Sequence, residues 1–553
     1  MGSSYWDKQL RGRFSRRGML RGTAIGAAGL TSWALVGCGE GNGGSTAQPT
    51  RGLQATEAPN VVRKKGGILR YGQTPFTALD PNVSPGGNDW PAEYAIYDTL
   101  LDADSNGVLV PKIVEKWEIT GDQLTLKLRP NVKFHDGNPF DAPALKASVE
   151  RTLGLGAKSR IYSQWSQVES IQAPDATTAV LKLVLPQFAP FLANLTSISG
   201  CIPSPKAVEA RGEDFSLNPV GAGPFRFKSI NTDSLCVLEA NPDYWGSPEH
   251  GPYLDGVEFR CVANTTALLT AMQAGEIDNI HYVTEAPAAE VEQLRRTAGV
   301  TILQAGGRGF QEFRLHCGKF PFDNPDLLKA FAYAIDREAL LTGLNLGKGT
   351  IAGGPINHET WAFDPTFVGF AIEKKEEREA KVVEHLTRGG HPGGFEFEAW
   401  VPTAGGPTVP RAEAVAQQVA KFGIVMKTTP NPNPPGLQYL YDGNFQALPS
   451  ATPMYTVDPD SIFRPQFHTK GQFAYHRFGN AKFDAMLDNA AVKTDQEERT
   501  ALYAEIQKTL HEMGIPRTPT IFPDVLIPLS EKVKGYAIDW SGYLRVGTIW
   551  LDA

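Results

Sequence analysis

Cysteine is scarce: five residues in 553, too few and too scattered for a disulfide framework. Beyond Cys38, the spacings of Cys201, Cys236, Cys261 and Cys317 fit no zinc pattern. Buried free thiols are the expected state. A Cys236–Cys261 bridge is the alternative, because both lie on alternating, strand-like runs. Long apolar runs are missing too. The run from Thr23 to Val36 has about 14 residues, short of the ~20 that span a bilayer, and no later segment is apolar enough. That excludes a permease. Neither Gly-x-Ser-x-Gly nor His-Glu-x-x-His occurs, so a hydrolase would lack its nucleophile elbow or zinc helix, and no enzymatic activity is expected. Positive charge is in deficit. Residues 1–37 hold six Lys/Arg against one acid, leaving 47 basic and 59 acidic residues in the remainder, a balance of −12. An acidic body argues against a nucleic-acid partner, since phosphate binding needs a basic face.

What is present begins with length. A chain of this size exceeds one core and predicts two or three domains, and 41 prolines with 56 glycines predict many turns. Ser15-Arg16-Arg17-Gly18-Met19-Leu20 is a twin-arginine export pattern, with Met19 where Phe is usual. The apolar run after it ends in Leu35-Val36-Gly37-Cys38, which resembles a lipobox. On that reading residues 1–37 are a signal peptide and Cys38 carries the lipid, a lasting membrane anchor because it bears more than one acyl chain. Residues 38–65 then form a flexible tether, nearly devoid of apolar side chains from Gly39 to Asn60. The expected location is outside the cytoplasmic membrane, in the periplasm or on the membrane's outer face.

The stretch Glu93–Leu153 carries the densest local information. Tyr94, Ile96, Tyr97, Leu100 and Leu101 fall at near-helical spacing. Trp117-Glu118-Ile119 and Leu124-Thr125-Leu126-Lys127-Leu128 alternate around the turn residues Gly121-Asp122, a hairpin pattern. Asp141 is placed as an N-cap, with Pro143 in the first turn of a helix running to Leu153. His135-Asp136 could be a catalytic or metal pair. With no third ligand or nucleophile nearby, a structural turn is the reading preferred.

In register, Tyr97-Asp98, Leu100, Gly107, Pro111, Glu115, Trp117, Leu128-Arg129, Val132-Lys133-Phe134-His135-Asp136-Gly137, Pro139-Phe140, Ala142 and Arg151 resemble the family 5 extracellular solute-binding proteins of ABC importers, the oligopeptide, dipeptide and nickel group. The likeness continues with Gly66-Gly67, Leu79-Asp80-Pro81 and the turn Pro219-Val220-Gly221-Ala222-Gly223-Pro224-Phe225, followed by Asn241-Pro242-Asp243-Tyr244-Trp245 and Gly275-Glu276-Ile277-Asp278. Pro321-Phe322 and Ala334-Ile335-Asp336-Arg337 extend it into the second half. The Gly-rich turn is no phosphate loop, since no Lys-Ser/Thr follows and no helix opens after it. Glu373 to Leu386 is a strongly charged helix, read as a solvated face.

The resemblance implies an α/β, two-lobed, periplasmic-binding-protein-like fold of the large class II type, with an inserted third subdomain and mixed sheets flanked by helices. It implies lobe I from 66–100, 195–305 and 522–553, an inserted subdomain at 101–194 and lobe II at 306–521. It further implies a monomer that holds a small solute between its lobes and passes it to an ABC permease complex, without a cofactor. A sensory or chaperone-like binder without a permease is the alternative.

The solute is less defined. Oligopeptide receptors of this family hold the ligand's amino group on an Asp three residues before an acid-Pro pair. Here the pair is Asp458-Pro459 and that position is Tyr455, which leaves peptide-like, opine-like and oligosaccharide solutes open. By position in the family pattern, Phe76, Trp165, Tyr282, Trp400 and Tyr455 are the candidates for the cleft, aromatic walls on which a flat or sugar-like face would stack. His281, His468 and His476 show no metal-ligand spacing, so no metal is expected.

Overall fold

The computed structural model describes residues 62–552 except 85–86, 105–106, 248–250, 263, 283–285, 404–407, 432–439, 455 and 539–541. The signal peptide, Cys38, nearly all of the tether and Tyr455 lie outside the described residues. Two large sheets, each with its own apolar core, organise the rest. The first has seven strands in the order Val300–Ala305, Val525–Ser530, Asn279–Ile280, Ile68–Gln73, Gly256–Cys261, Leu235–Ala240, Phe225–Asn231. Ile68–Gln73 is parallel to both its neighbours and the remaining pairs are antiparallel, so the sheet is mixed. The second has five, ordered Val425–Asn431, Glu396–Pro402, Ala447–Thr452, Phe310–Leu315, Arg517–Pro519. A four-stranded antiparallel sheet, Val114–Thr120, Gln123–Leu128, Thr178–Leu183, Val168–Asp175, shares one continuous core with the seven-stranded sheet, while the five-stranded sheet centres the other. The outcome is the two-lobed α/β fold with mixed sheets flanked by helices.

Local chemistry explains the elements. Asp141 sits in extended conformation and accepts from Ala144 N at 2.9 Å, opening the helix Ala142–Leu155. Leu145, Ser148, Val149 and Thr152 form its buried stripe. The hairpin forms as its alternation requires, Trp117 facing Leu126 and Ile119 facing Leu124. His135-Asp136 is a turn: His135 Nε2 lies 3.0 Å from Gly223 O, and Asp136 accepts from Asn138 N and Ser204 Oγ. The Pro219–Phe225 segment passes directly over the helix Trp90–Tyr97. A Cβ at Gly221 would lie 2.2 Å from Ile96 O and one at Gly223 2.4 Å from Ala95 O, so only glycine fits.

One expectation changes. The first helix ends at Tyr97 rather than Leu101, because Asp98 adopts φ 63° and commits its carboxylate to Tyr244 OH at 2.8 Å and to Lys112. All eight of its residues are buried, Glu93 included, so it is an interior helix and not an amphipathic surface one. The thiols are free as expected: Cys236 and Cys261 sit on adjacent strands without bridging, Cys201 and Cys317 lie outside strands, and Cys261 and Cys317 are only part-buried.

Two ion pairs are almost wholly buried. Arg499 grips Asp458 through two bonds of 2.6 and 2.8 Å, with side-chain exposures of 0% and 1%. Arg517 grips Glu312 at 2.6 and 3.0 Å, and Thr452 Oγ1 also donates to that carboxylate. Removing one partner strands a charge in low dielectric. Arg499→Ala is expected to lower unfolding free energy in urea by about 3–5 kcal/mol; a loss near zero would show that the pair is solvated in solution.

Acid should unfold the protein in two stages. Burial pushes His135, His281 and His511 down to about 4 and His476 to about 3. Because these values lie below the ordinary histidine value of about 6.5, the unfolded chain binds more protons across the gap. Their contribution is complete above about pH 6.5 and is lost as pH falls toward 4 and 3. The arginines around Glu312 outweigh its burial and hold it at about 2, so its share is lost between about pH 4.5 and 2. Urea midpoints at pH 7, 5.5 and 4.5 should fall in that order, and a flat series would contradict the buried neutral histidines.

Candidate functional site

The chain passes between the two cores twice, through 305–310 and through 523–525. The passages touch: a Cβ at Gly307 would lie 1.7 Å from Pro523 O, so glycine is required for them to run together. Gln304 Nε2 donates to Asp524 Oδ2 at 2.6 Å across the same place. Two thin, adjacent connections of this kind form a hinge, the construction that lets lobes open and close.

Away from the hinge, a cavity of about 270 Å³ lies between the lobes. One wall comes from the first core and its four-stranded attachment, with Trp90, Arg160, Ile161, Ser163, Gln164, Phe188, Asn194, Ser197 and Ile198. The other comes from Thr456, the helix Asp460–Phe467 and the following loop, with Ser461, Arg464, His468, Gln472 and Phe473, and from Asp488. The rings of Trp90, Phe188 and Phe473 among convergent amides, hydroxyls and charges suit a small polar organic molecule.

The walls are bolted together. Ser163 Oγ donates to Gln472 Oε1 at 2.7 Å, and Gln472 Nε2 donates to Arg160 O at 3.3 Å. Ala189 N donates to Ala491 O at 3.3 Å, and the Arg464 guanidinium lies 5.4 Å above the Phe188 ring. Val457 and Ala491, though carried by the second lobe, pack into the first core. The structure is therefore in a closed arrangement. Arg464 is held by Asp460 at 2.9 Å and Asp488 at 2.7 Å, and these carboxylates raise its pKa. Burial raises Asp460 in turn, and it lowers His468, favouring the neutral ring.

The aromatic residues expected at the cleft divide. Trp400 is half-buried and packs with Tyr441 and Phe473 against Leu440, Phe445, Leu448 and Tyr475, and Phe473 is itself in the cavity wall. Tyr455 lies outside the described residues, though its neighbour Thr456 lines the cavity. Phe76 sits edge-on to Phe259 at 5.8 Å, beside the seven-stranded sheet. Trp165 is 1% exposed, donates its indole N–H to Ser199 O at 2.9 Å and stacks edge-on to Phe191. It supports the wall from behind. Tyr282 packs with Ile302 against Ala288, Val291 and Leu526, its hydroxyl buried without a hydrogen-bond partner among the described residues. Arg160, Gln472 and Ser461 were not among the expected residues. They lie on loops and a helix start with no periodicity to mark them. Among the described residues no group of three or more His, Cys, Asp or Glu could hold a metal ion, and no helix is long and apolar enough to cross a membrane.

Known proteins share this architecture. The chain is 26% identical over 480 residues to the glutathione-binding protein GsiB of Pectobacterium atrosepticum, covering 82% of this chain and 88% of that one. It is 27% identical over 487 residues to heme-binding protein A of Haemophilus influenzae, covering 81% and 85%. Among solved structures, the periplasmic binding protein DppA of Helicobacter pylori, in complex with the peptide STSA, superposes with a TM-score of 0.77 at 25% identity, covering 89% of this chain and 99% of that one. Residues 108–474 match the family described as bacterial extracellular solute-binding proteins, family 5. That span is well over half of the chain: the protein belongs to the family 5 bacterial extracellular solute-binding proteins, a family of binding proteins rather than enzymes.

Proposed function

We propose that the chain captures a small organic solute in the cavity between its lobes and delivers it, chemically unchanged, to an ABC permease. The observation that carries this reading is the cavity itself, whose opposing walls belong to separate cores and meet through Gln472. A solute touching both walls favours the closed form by its difference in affinity for the two states, and the permease reads the closed shape. The lobes are proposed to run from 66–100, 195–305 and 522–553 for the first, with 101–194 inserted, and 306–521 for the second. Trp400, beside Phe473, is the aromatic platform we place nearest the solute, with Tyr455 contributing from the segment before Thr456.

Export is proposed to follow the twin-arginine pattern at Arg16-Arg17, with Cys38 lipidated and the receptor held, as a monomer, on the outer face of the membrane. The two free thiols on adjacent strands accord with folding in a reducing compartment before export. Cys38→Ser should release the protein from the membrane fraction into the soluble fraction; retention equal to wild type would remove the anchor.

The related proteins carry glutathione, heme and a peptide in their names, so the family alone does not choose the solute. Tyr455, standing where oligopeptide receptors have an Asp, deprives a peptide's α-ammonium of its counter-charge. Short unmodified peptides are therefore expected to give no thermal shift at millimolar concentration. The true solute should stabilise the detergent-solubilised chain by about 2.7 kcal/mol at a hundredfold excess over its Kd. A large shift with a dipeptide would reverse the first expectation.

A further inference from the structure

The cavity contains two guanidinium groups that are treated in opposite ways. Arg464 is answered twice, by Asp460 and Asp488. Arg160 has no carboxylate in contact; Asp89 and Glu93 act on it only through the electrostatic field. Its backbone is fixed from both lobes, with N donating to Asn82 O at 2.7 Å and O accepting from Gln472 Nε2, yet its half-buried guanidinium makes no hydrogen bond or ion pair among the described residues. The acids nearest it are otherwise engaged. Asp89 spends its carboxylate on Thr77 N, Ala78 N and Ser84 Oγ, and Glu93 is fully buried, which pushes its carboxyl well up and disfavours its charge. The guanidinium also lies within electrostatic reach of Tyr441, which packs beside Trp400 and Phe473, so it stands where the two lobes meet. On the opposite wall Ser461 Oγ is buried and has no hydrogen-bond partner among the described residues. The rim adds the exposed Lys470, which makes no ion pair among the described residues.

A guanidinium drawn into a closing cavity with no carboxylate in hydrogen-bond contact loses water and regains only a field from more distant acids. Closure of the empty receptor is penalised on that account, and an anion supplied by the solute removes the penalty. The planar, five-donor fork of arginine matches a carboxylate through two parallel bonds, whereas a neutral sugar hydroxyl leaves the charge uncompensated. We propose that Arg160 receives a carboxylate of the captured solute, with Ser461 Oγ as a hydrogen-bond donor from the other lobe, so that the solute class is an organic acid rather than a neutral oligosaccharide. This deepens, and rests on, the reading of the inter-lobe cavity as the solute site. It also gives closure its dependence on occupancy, because the guanidinium's hydrogen bonds are filled only when the guest is present.

The test screens the detergent-solubilised full chain by thermal shift against opines, N-acylated amino acids and hydroxy acids, each paired with its methyl ester, and against neutral oligosaccharides. Calorimetry on the acids that shift it then compares wild type with Arg160→Gln, Arg160→Lys and, as a surface control, Arg296→Gln. Binders are expected among the free acids, with esterification or Arg160→Gln weakening them at least tenfold, Arg160→Lys intermediate and Arg296→Gln unchanged. Solute-free Arg160→Gln is expected to melt no lower than wild type, since no native partner is lost. A substantially lower melting temperature for that solute-free variant would show that the fold already answers the guanidinium, and would overturn the proposal whatever binds. Shifts from neutral oligosaccharides alone, or acids whose affinity ignores Arg160→Gln, overturn the carboxylate assignment and leave the receptor reading standing. A panel that shifts nothing overturns both.

Discussion

The buried pair between Arg499 and Asp458 is the constraint on which the cavity depends. Asp458 belongs to the segment that enters the second lobe's wall. Its side chain also accepts from Asp460 N at 3.0 Å, so the pair sets the start of the helix that carries Ser461 and Arg464. Arg499 in turn donates to Ala490 O, beside the point where Ala491 O meets Ala189 N of the first lobe. One desolvated guanidinium thereby aligns the wall, the helix and the contact between lobes. The energetic cost of burying that charge is met only by the geometry of both bonds together, which makes the arrangement all-or-none.

A receptor must close on its solute and reopen, and the structure separates the parts that are rigid from the parts that move. Each lobe has its own dense core, so it moves as a body. Between them run two short crossings pressed together at Gly307 and Pro523. The hydrogen bonds across the cavity mouth are few, Gln472 to Ser163 and Arg160 and Ala189 to Ala491, beside the apolar packing of Val457 and Ala491 into the first core. Hydrogen bonds of this kind contribute about 0.5–1.5 kcal/mol each, enough to bias an equilibrium and too little to lock it. The solute supplies the difference.

Much of the fold was legible because it rests on local rules. Asp141 as a cap, the hairpin at Gly121-Asp122 and the turn at Asp136-Gly137 each follow from residues a few positions apart. The first helix was less so. Its spacing ran on to Leu101, whereas Asp98 stops the helix at Tyr97 and packing beneath Gly221 and Gly223 helps bury it whole. The site was legible only in part. Trp400, expected at the cleft from its place in the family pattern, packs in one cluster with Phe473, which lines the cavity. Trp165, from the same pattern, is core packing behind the wall. Aromatic identity alone cannot separate the two cases, because a ring serves a core and a binding wall equally well.

What the sequence by itself determined is what depends on composition and short spacing: an acidic body without catalytic motifs, and the family's turns and caps. What only the tertiary structure decided is which side chains from distant segments face one another. Arg160 and Gln472 are more than 300 residues apart and meet only across the closed lobes. Whether a guanidinium has a counter-ion is a property of that meeting and of no stretch of chain. Arg464 and Arg160 are the same residue in the same cavity, and folding alone gives one its carboxylates and leaves the other waiting.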